Sequence, residues 1–240
     1  MSSSRTALST MPSSRIANFV RLELSGWTAL EVSWMIFCVG AVLGISLWLK
    51  DSAIGIIAAI TGIMYTLIAG KGKCSCYLFG IVNTIGYGLV SYHAKLLGET
   101  MLNWGYYLPM MFIGLIFWSK RLDEKAEIVK TALTWKGRAI TVVLSILGIA
   151  LYAIVLAKLK DPQPILDSTT TILSITAMVL TVKRCIEQWL LWTIVNATSI
   201  ILWLNAYLDG YGSIATLLYW CVALANGIIF FIKWRKEIKQ

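Results

Sequence analysis

The sequence predicts an all-α integral membrane protein. About eight transmembrane helices form two parallel three-helix bundles joined by a linker helix, with an extra N-terminal helix. Three observations carry this expectation. First, 58% of the 240 residues are hydrophobic and only 14% are charged, against about a quarter charged in soluble domains. One aqueous core cannot hide that much apolar surface. Second, the 21 Lys and Arg behind the net charge of +9 sit in short clusters between apolar runs. That distribution suits anchored loops and argues against nucleic-acid binding. Third, the chain partly matches itself when slid by 116 residues.

Taken in order, residues 1–14 read as a Ser-rich tail, and 15–26 as a short amphipathic surface helix containing Arg15, Phe19, Arg21, Leu22, Glu23 and Leu24. Apolar runs then place helices near 28–49, 52–70, 75–94, 99–118, 138–158, 166–182, 187–208 and 212–232. Two of these depart from the pattern. The first carries Glu31 near its start. The sixth has only 15 uncharged residues between Asp167 and Lys183, about 22 Å of helix against a hydrocarbon core of roughly 30 Å. Pro162 and Pro164 precede it, with Asp167 or Ser168 as the expected N-cap. The segments are thus 1–26 (tail and surface helix), 27–50 (extra helix), 51–119 (first bundle), 120–137 (cytoplasmic loop), 138–164 (linker helix and loop), 165–234 (second bundle) and 235–240 (basic tail).

With eight crossings, one side of the membrane receives 17 Lys and Arg and the other only four: Lys50, Lys95, Lys158 and Lys160. The positive-inside rule puts the 17, and both termini, in the cytoplasm. A seven-crossing parse, with 28–49 lying on the surface, moves the N-terminal arginines outside and fits less well. Cys38, Cys74, Cys76, Cys185 and Cys221 form no disulfide framework. The Cys74-Ser75-Cys76 pair stands far from the single histidine, His93, so neither a metal nor a cofactor is expected. The first apolar run begins near Trp27, too deep for a usual cleavable signal.

The shift of 116 lays Asp51-Ser52 on Asp167-Ser168, Thr100–Trp104 on Thr216–Trp220, and Trp118 on Trp234. A shift of 113 pairs Asn83 with Asn196. Three crossings invert the chain and the linker helix near 138–158 restores its direction, so the repeats are parallel. Transporters built this way bind substrate near the midplane, between the halves.

Within 187–208, Trp189, Trp192, Asn196, Ser199 and Trp203 fall within roughly an 80° arc of one helix face. An amide turned toward lipid leaves its donors and acceptors unpaired, so this face looks into protein or a wet cavity. An interfacial aromatic belt accounts for Trp189 and Trp203, but not for Trp192 and Asn196 on the same face. Indoles stack on flat rings and Asn offers a paired donor and acceptor. In the first half Asn83 and Tyr87 stand one turn apart, and Asn103, Trp104, Tyr106 and Tyr107 open the next helix. Tyr219 and Asn226 share a face of the last. For each of these a helix–helix hydrogen bond competes with ligand contact. Gln188 can point either way. Glu99 and Glu187 lie at helix N-termini, where capping is the default. No P-loop, nucleophile–base pair or mid-membrane carboxylate is visible, so the chain reads as a downhill carrier rather than an enzyme or proton-coupled pump.

The Glu187-x-Trp189-x-x-Trp192-x-x-x-Asn196 pattern, the three-plus-one-plus-three layout and the basic tail resemble the PnuC family of bacterial nicotinamide riboside transporters, over roughly residues 28–236. The resemblance implies a fold similar to the SWEET sugar transporters and facilitated diffusion of nicotinamide riboside, which a separate kinase then traps. It implies a homotrimer in the bacterial inner membrane. It also implies that Trp189, Trp192 and Asn196 contact substrate, with Asn83 facing them from the other half. Other readings are a carrier of another vitamin or sugar on the same scaffold, or a membrane scaffold subunit. A flat cationic pyridinium suits indole, whereas a phosphate would call for Arg or Lys in the cavity, so the mononucleotide should be rejected.

Overall fold

The computed structural model describes residues 20–94, 96–159 and 164–238. The tail at 1–14, the first part of the 15–26 stretch, Lys95, Lys160 and Pro162 lie outside the described residues. A helical turn at 20–24 precedes eight helices: α1 (Ala29–Trp48), α2 (Ala53–Lys71), α3 (Cys76–His93), α4, α5 (Trp135–Lys158), α6 (Pro164–Val182), α7 (Gln188–Leu208) and α8 (Ile214–Ile238). Three consecutive stretches make up α4: Leu97–Met101, a π-helical Leu102–Tyr107 and Leu108–Ser119. Among the described residues seven helices are long and apolar enough to cross a membrane, and α3 is not one of them. Its polar Asn83, Thr84 and Ser91 are buried in protein, between α2 and α4.

Local chemistry sets the ends. Thr28 caps α1 in a reciprocal box with Glu31, Ser52 accepts from the Gly55 N–H at 3.0 Å, and Thr134 accepts from the Gly137 N–H at 3.1 Å. Gly72 stops α2 at φ +85°, a conformation that favours glycine. The sixth helix differs from the expectation. It begins at Pro164 and runs 19 residues, about 28 Å, because proline suits a first helical turn. Ser168 lies inside the helix, where its hydroxyl donates to the Ile165 carbonyl at 3.0 Å, and is not the N-cap.

Glu31, at odds with an apolar span, has a partner on each side. Its carboxylate accepts from Lys71 at 2.9 Å and from Lys233 at 2.7 Å, so the start of α1 meets the ends of α2 and α8. Further along α1, Trp34 donates to Asn226 Oδ1 of α8 at 2.9 Å. The first helix therefore packs along α2 and α8.

The repeat is visible in the packing. Within each bundle, the first helix packs on the second and the second on the third, while α2 crosses to α8 and α4 to α6. Trp118 at the end of α4 stands edge-on to Tyr77, centroids 5.1 Å apart; Trp234 at the end of α8 stands edge-on to Trp189 at 5.5 Å. Each indole then reaches into the other bundle. Trp118 donates to the Thr181 carbonyl at 3.0 Å, and Trp234 to the Gly70 carbonyl at 2.8 Å. The C-terminal ends of α2, α4, α6 and α8 therefore meet at one level, and the bundles run parallel. At the opposite end Asp51 accepts from Ser213 Oγ at 2.8 Å and from the Ala215 N–H at 2.7 Å, closing the start of α8.

The end where these C-termini meet is basic, and a strap formed by residues 120–134 crosses it. The Ile128 N–H donates to the Gly72 carbonyl at 2.9 Å on the first bundle. Thr131 exchanges backbone bonds with Arg184 and Ile186 at 3.0 and 2.9 Å on the second. Lys130 pairs with Glu237. Glu187 accepts from Leu133 N–H and Arg138 Nε, so its work is to hold the strap against α7 rather than to cap that helix. Glu23 accepts from the Cys74 and Ser75 N–H groups at 3.2 Å each and from Ser75 Oγ at 2.6 Å, docking the 20–24 turn onto the α2–α3 turn.

Candidate functional site

Two small chambers lie between the bundles, each of about 50 Å³. Tyr65, Trp192, Tyr219 and Trp220 line both and form the partition. The first chamber is completed by Gln188, Trp189 and Asn196 from α7, Thr66 from α2 and Thr181 from α6. The second is completed by Asn83 and Tyr87 from α3, Glu99, Asn103 and Tyr107 from α4, Ser174 from α6 and Ser199 from α7. Nine of the ten sequence-predicted residues thus come together. Asn226 does not. Its Oδ1 accepts from Trp34 and its Nδ2 donates to Thr66 Oγ1 at 3.2 Å, which makes it a helix–helix link.

The walls are aromatic. Tyr107 and Trp192 rings lie 6.1 Å apart, Tyr219 and Trp220 5.0 Å, Tyr87 and Trp220 5.9 Å. The indole N–H of Trp192 is held by Thr181 Oγ1 at 3.0 Å, which fixes the ring between the chambers. Trp203, on the same face of α7, turns its N–H to the Tyr87 hydroxyl at 2.6 Å and lines neither chamber. Asn83 spends one amide hydrogen on the Ala58 carbonyl at 2.8 Å. Gly62 makes this approach possible: a Cβ there would lie 2.6 Å from Tyr219 and 2.7 Å from Asn83.

Four wall groups are buried without a hydrogen-bond partner among the described residues: the Tyr65 hydroxyl, Gln188 Nε2, Trp189 Nε1 and Trp220 Nε1. All four are donors, and leaving a buried donor unpaired costs about 1–3 kcal/mol. The site is therefore built for a polar, acceptor-bearing occupant among flat rings. Among the described residues no Lys or Arg lines either chamber, and Glu99 is their only charged side chain.

Tyr65, Glu99, Ser174 and Trp220 were missed as site residues from the sequence. Tyr65 sits in an apolar run without polar periodicity. Glu99 has the position of a helix cap, yet it hydrogen-bonds with Tyr87 across the chamber wall. The π-helical turn that carries Asn103 and Tyr107 inward left no mark in the sequence pattern; such turns recur at functional sites.

Residues 52–236 match the family described as nicotinamide mononucleotide transporter. The nicotinamide riboside transporter PnuC of Neisseria mucosa is 37% identical, over 94% of this chain and 88% of that protein. The nicotinamide riboside transporter PnuC of Haemophilus influenzae is 31% identical over 90% and 94%. The crystal structure of the vitamin B3 transporter PnuC superposes with a TM-score of 0.84 at 35% identity, covering 92% of this chain and 97% of that one. These relatives are transporters and not enzymes.

Proposed function

Because the chain belongs to the PnuC family of membrane transporters, we propose that it carries nicotinamide riboside across the bacterial inner membrane by alternating access, with both termini in the cytoplasm. The observation that carries this reading is the set of four unpartnered donors around two aromatic-walled chambers. The carboxamide oxygen and ribose hydroxyls of the riboside supply acceptors for the Tyr65, Gln188, Trp189 and Trp220 donors. The pyridinium is flat and cationic and stacks on the Trp192 and Tyr107 faces. Asn196 and Asn83 approach it from opposite bundles.

The riboside is favoured over the mononucleotide because a phosphate brings negative charge that no Lys or Arg among the described lining residues matches. Each chamber, at about 50 Å³, has room for a water or two but not for a nucleoside, whose pockets span about 300–1,000 Å³. Substrate entry thus requires the bundles to part and the partition of Tyr65, Trp192, Tyr219 and Trp220 to open. The Trp118 and Trp234 bonds and the strap hold the basic end together. Opening toward the cytoplasm breaks the indole bonds while the strap keeps the halves tethered. Downhill transport needs no further device, and assembly as a homotrimer belongs to the same proposal.

Thermal stabilisation of the purified protein tests the substrate, since a ligand that binds the native state raises its melting temperature. Nicotinamide riboside should raise it at concentrations where nicotinamide mononucleotide, free nicotinamide and simple sugars do not. A larger shift from a sugar or from the mononucleotide would sink the reading.

A further inference from the structure

We infer that Glu99 is the specificity determinant that reads the positive charge of the substrate, a role that rests on the riboside reading above. Among the described residues Glu99 is the only charged side chain lining the chambers, and it stands at the wall that also carries Tyr87, Asn103 and Tyr107. It makes no ion pair among the described residues, in contrast to Glu31, Glu127, Glu187 and Glu237.

A structural explanation for this carboxylate fails on two counts. Capping would have it accept from the first N–H groups of α4; among the described residues its hydrogen-bond partner is instead Tyr87, on the same chamber wall. The repeat gives the second. The shift of 116 that lays Thr100 on Thr216 and Trp104 on Trp220 lays Glu99 on Ala215. Ala215 is fully buried at the start of α8, and its N–H is closed by Asp51 from the neighbouring loop. The second bundle therefore closes the same helix start with an acid from outside the helix, Asp51, and carries none at the position equivalent to Glu99. An acid within the helix is thus not a requirement of this helix start, and Glu99 lines the chamber.

A carboxylate in a largely water-excluded cavity acts at a low effective dielectric, so its preference for a cation over a neutral molecule of the same shape is large. The same field opposes phosphate and carboxylate groups, so Glu99 rejects as well as attracts.

Nicotinamide riboside and its 1,4-dihydro form share ribose and carboxamide and differ in ring charge, which makes them the probes. Binding to the wild-type protein and uptake into liposomes are measured for both, alongside Glu99→Gln and Glu99→Asp. The wild type should bind the cationic form at least tenfold more tightly than the neutral one. Glu99→Gln should abolish that preference by weakening the cation while leaving the neutral form within about twofold, and Glu99→Asp should restore part of it. Equal wild-type affinities for the two forms would overturn the inference, and that comparison needs no variant. Equal losses for both forms in a folded Glu99→Gln would overturn it as well. A wild type that transports neither form rejects the riboside reading itself, whereas wild-type transport of the riboside with an unchanged preference in Glu99→Gln rejects only the role of Glu99.

Discussion

Replacing Trp192 by alanine probes the site at the point where its two chambers meet. The Trp192 ring lines both chambers and lies 6.1 Å from Tyr107, with its N–H held at 3.0 Å by Thr181 Oγ1. Losing that bond has a minor effect, because the Thr181 hydroxyl still donates to the Ala177 carbonyl at 2.9 Å. The main effect is the lost flat face. Base–aromatic stacking is worth about 1–3 kcal/mol, so Trp192→Ala should raise the dissociation constant for nicotinamide riboside by about 5- to 150-fold. Trp192→Phe keeps a flat ring and should lose less than about tenfold. Titration calorimetry on detergent-purified protein reads both, after gel filtration has shown that each variant elutes like the wild type. An alanine variant that binds within twofold of the wild type would refute the stacking argument, as would equal losses in the two variants.

Gly62→Ala places a methyl 2.6 Å from Tyr219 and 2.7 Å from Asn83; overpacking costs about 1–3 kcal/mol, and affinity should fall because two chamber walls are displaced together, which calorimetry checks. Asn226→Ala breaks the links to Trp34 and Thr66 and leaves the Trp34 N–H without that partner, so the melting temperature should drop with a loss of about 1–3 kcal/mol while riboside affinity stays the same. Burial, helped by the nearby Glu23 carboxylate, pushes the Cys74 thiol up to about 12 from 9.0. The folded state then keeps a proton that the unfolded chain releases from pH 9 upward, so this contribution to stability is full below pH 9 and is lost between 9 and 12. Alkylation of Cys74 at pH 8 should be slow until the protein unfolds, or until Glu23→Ala frees the turn, as peptide mass mapping would show.

Much of the architecture was legible in the sequence because a bilayer imposes long apolar runs and sorts Lys and Arg by side. The repeat was legible through Trp118 and Trp234, and the structure gives the reason: both close the same junction between bundles. What remained hidden depended on pairs distant in sequence. Glu31 looked wrong for a span until Lys71 and Lys233 met it. Asn226 looked like Asn196, since nothing in either residue says which of them faces Trp34 and which a chamber. Trp203 follows the periodicity of Trp192 and Asn196, yet Tyr87 claims it. Periodicity names a face, and only packing separates the part of that face that lines a cavity from the part that joins helices. The start of α6 was missed for a related reason: counting uncharged residues stopped at Asp167, whereas the helix continues back to Pro164.

The most direct test of the whole account is counterflow in liposomes that contain only the purified protein. Vesicles loaded with unlabelled nicotinamide riboside should take up the labelled riboside transiently, with no proton or sodium gradient imposed, and should not exchange labelled nicotinamide mononucleotide. Exchange of the mononucleotide at a comparable rate, or riboside uptake that appears only when an ion gradient is applied, would contradict it.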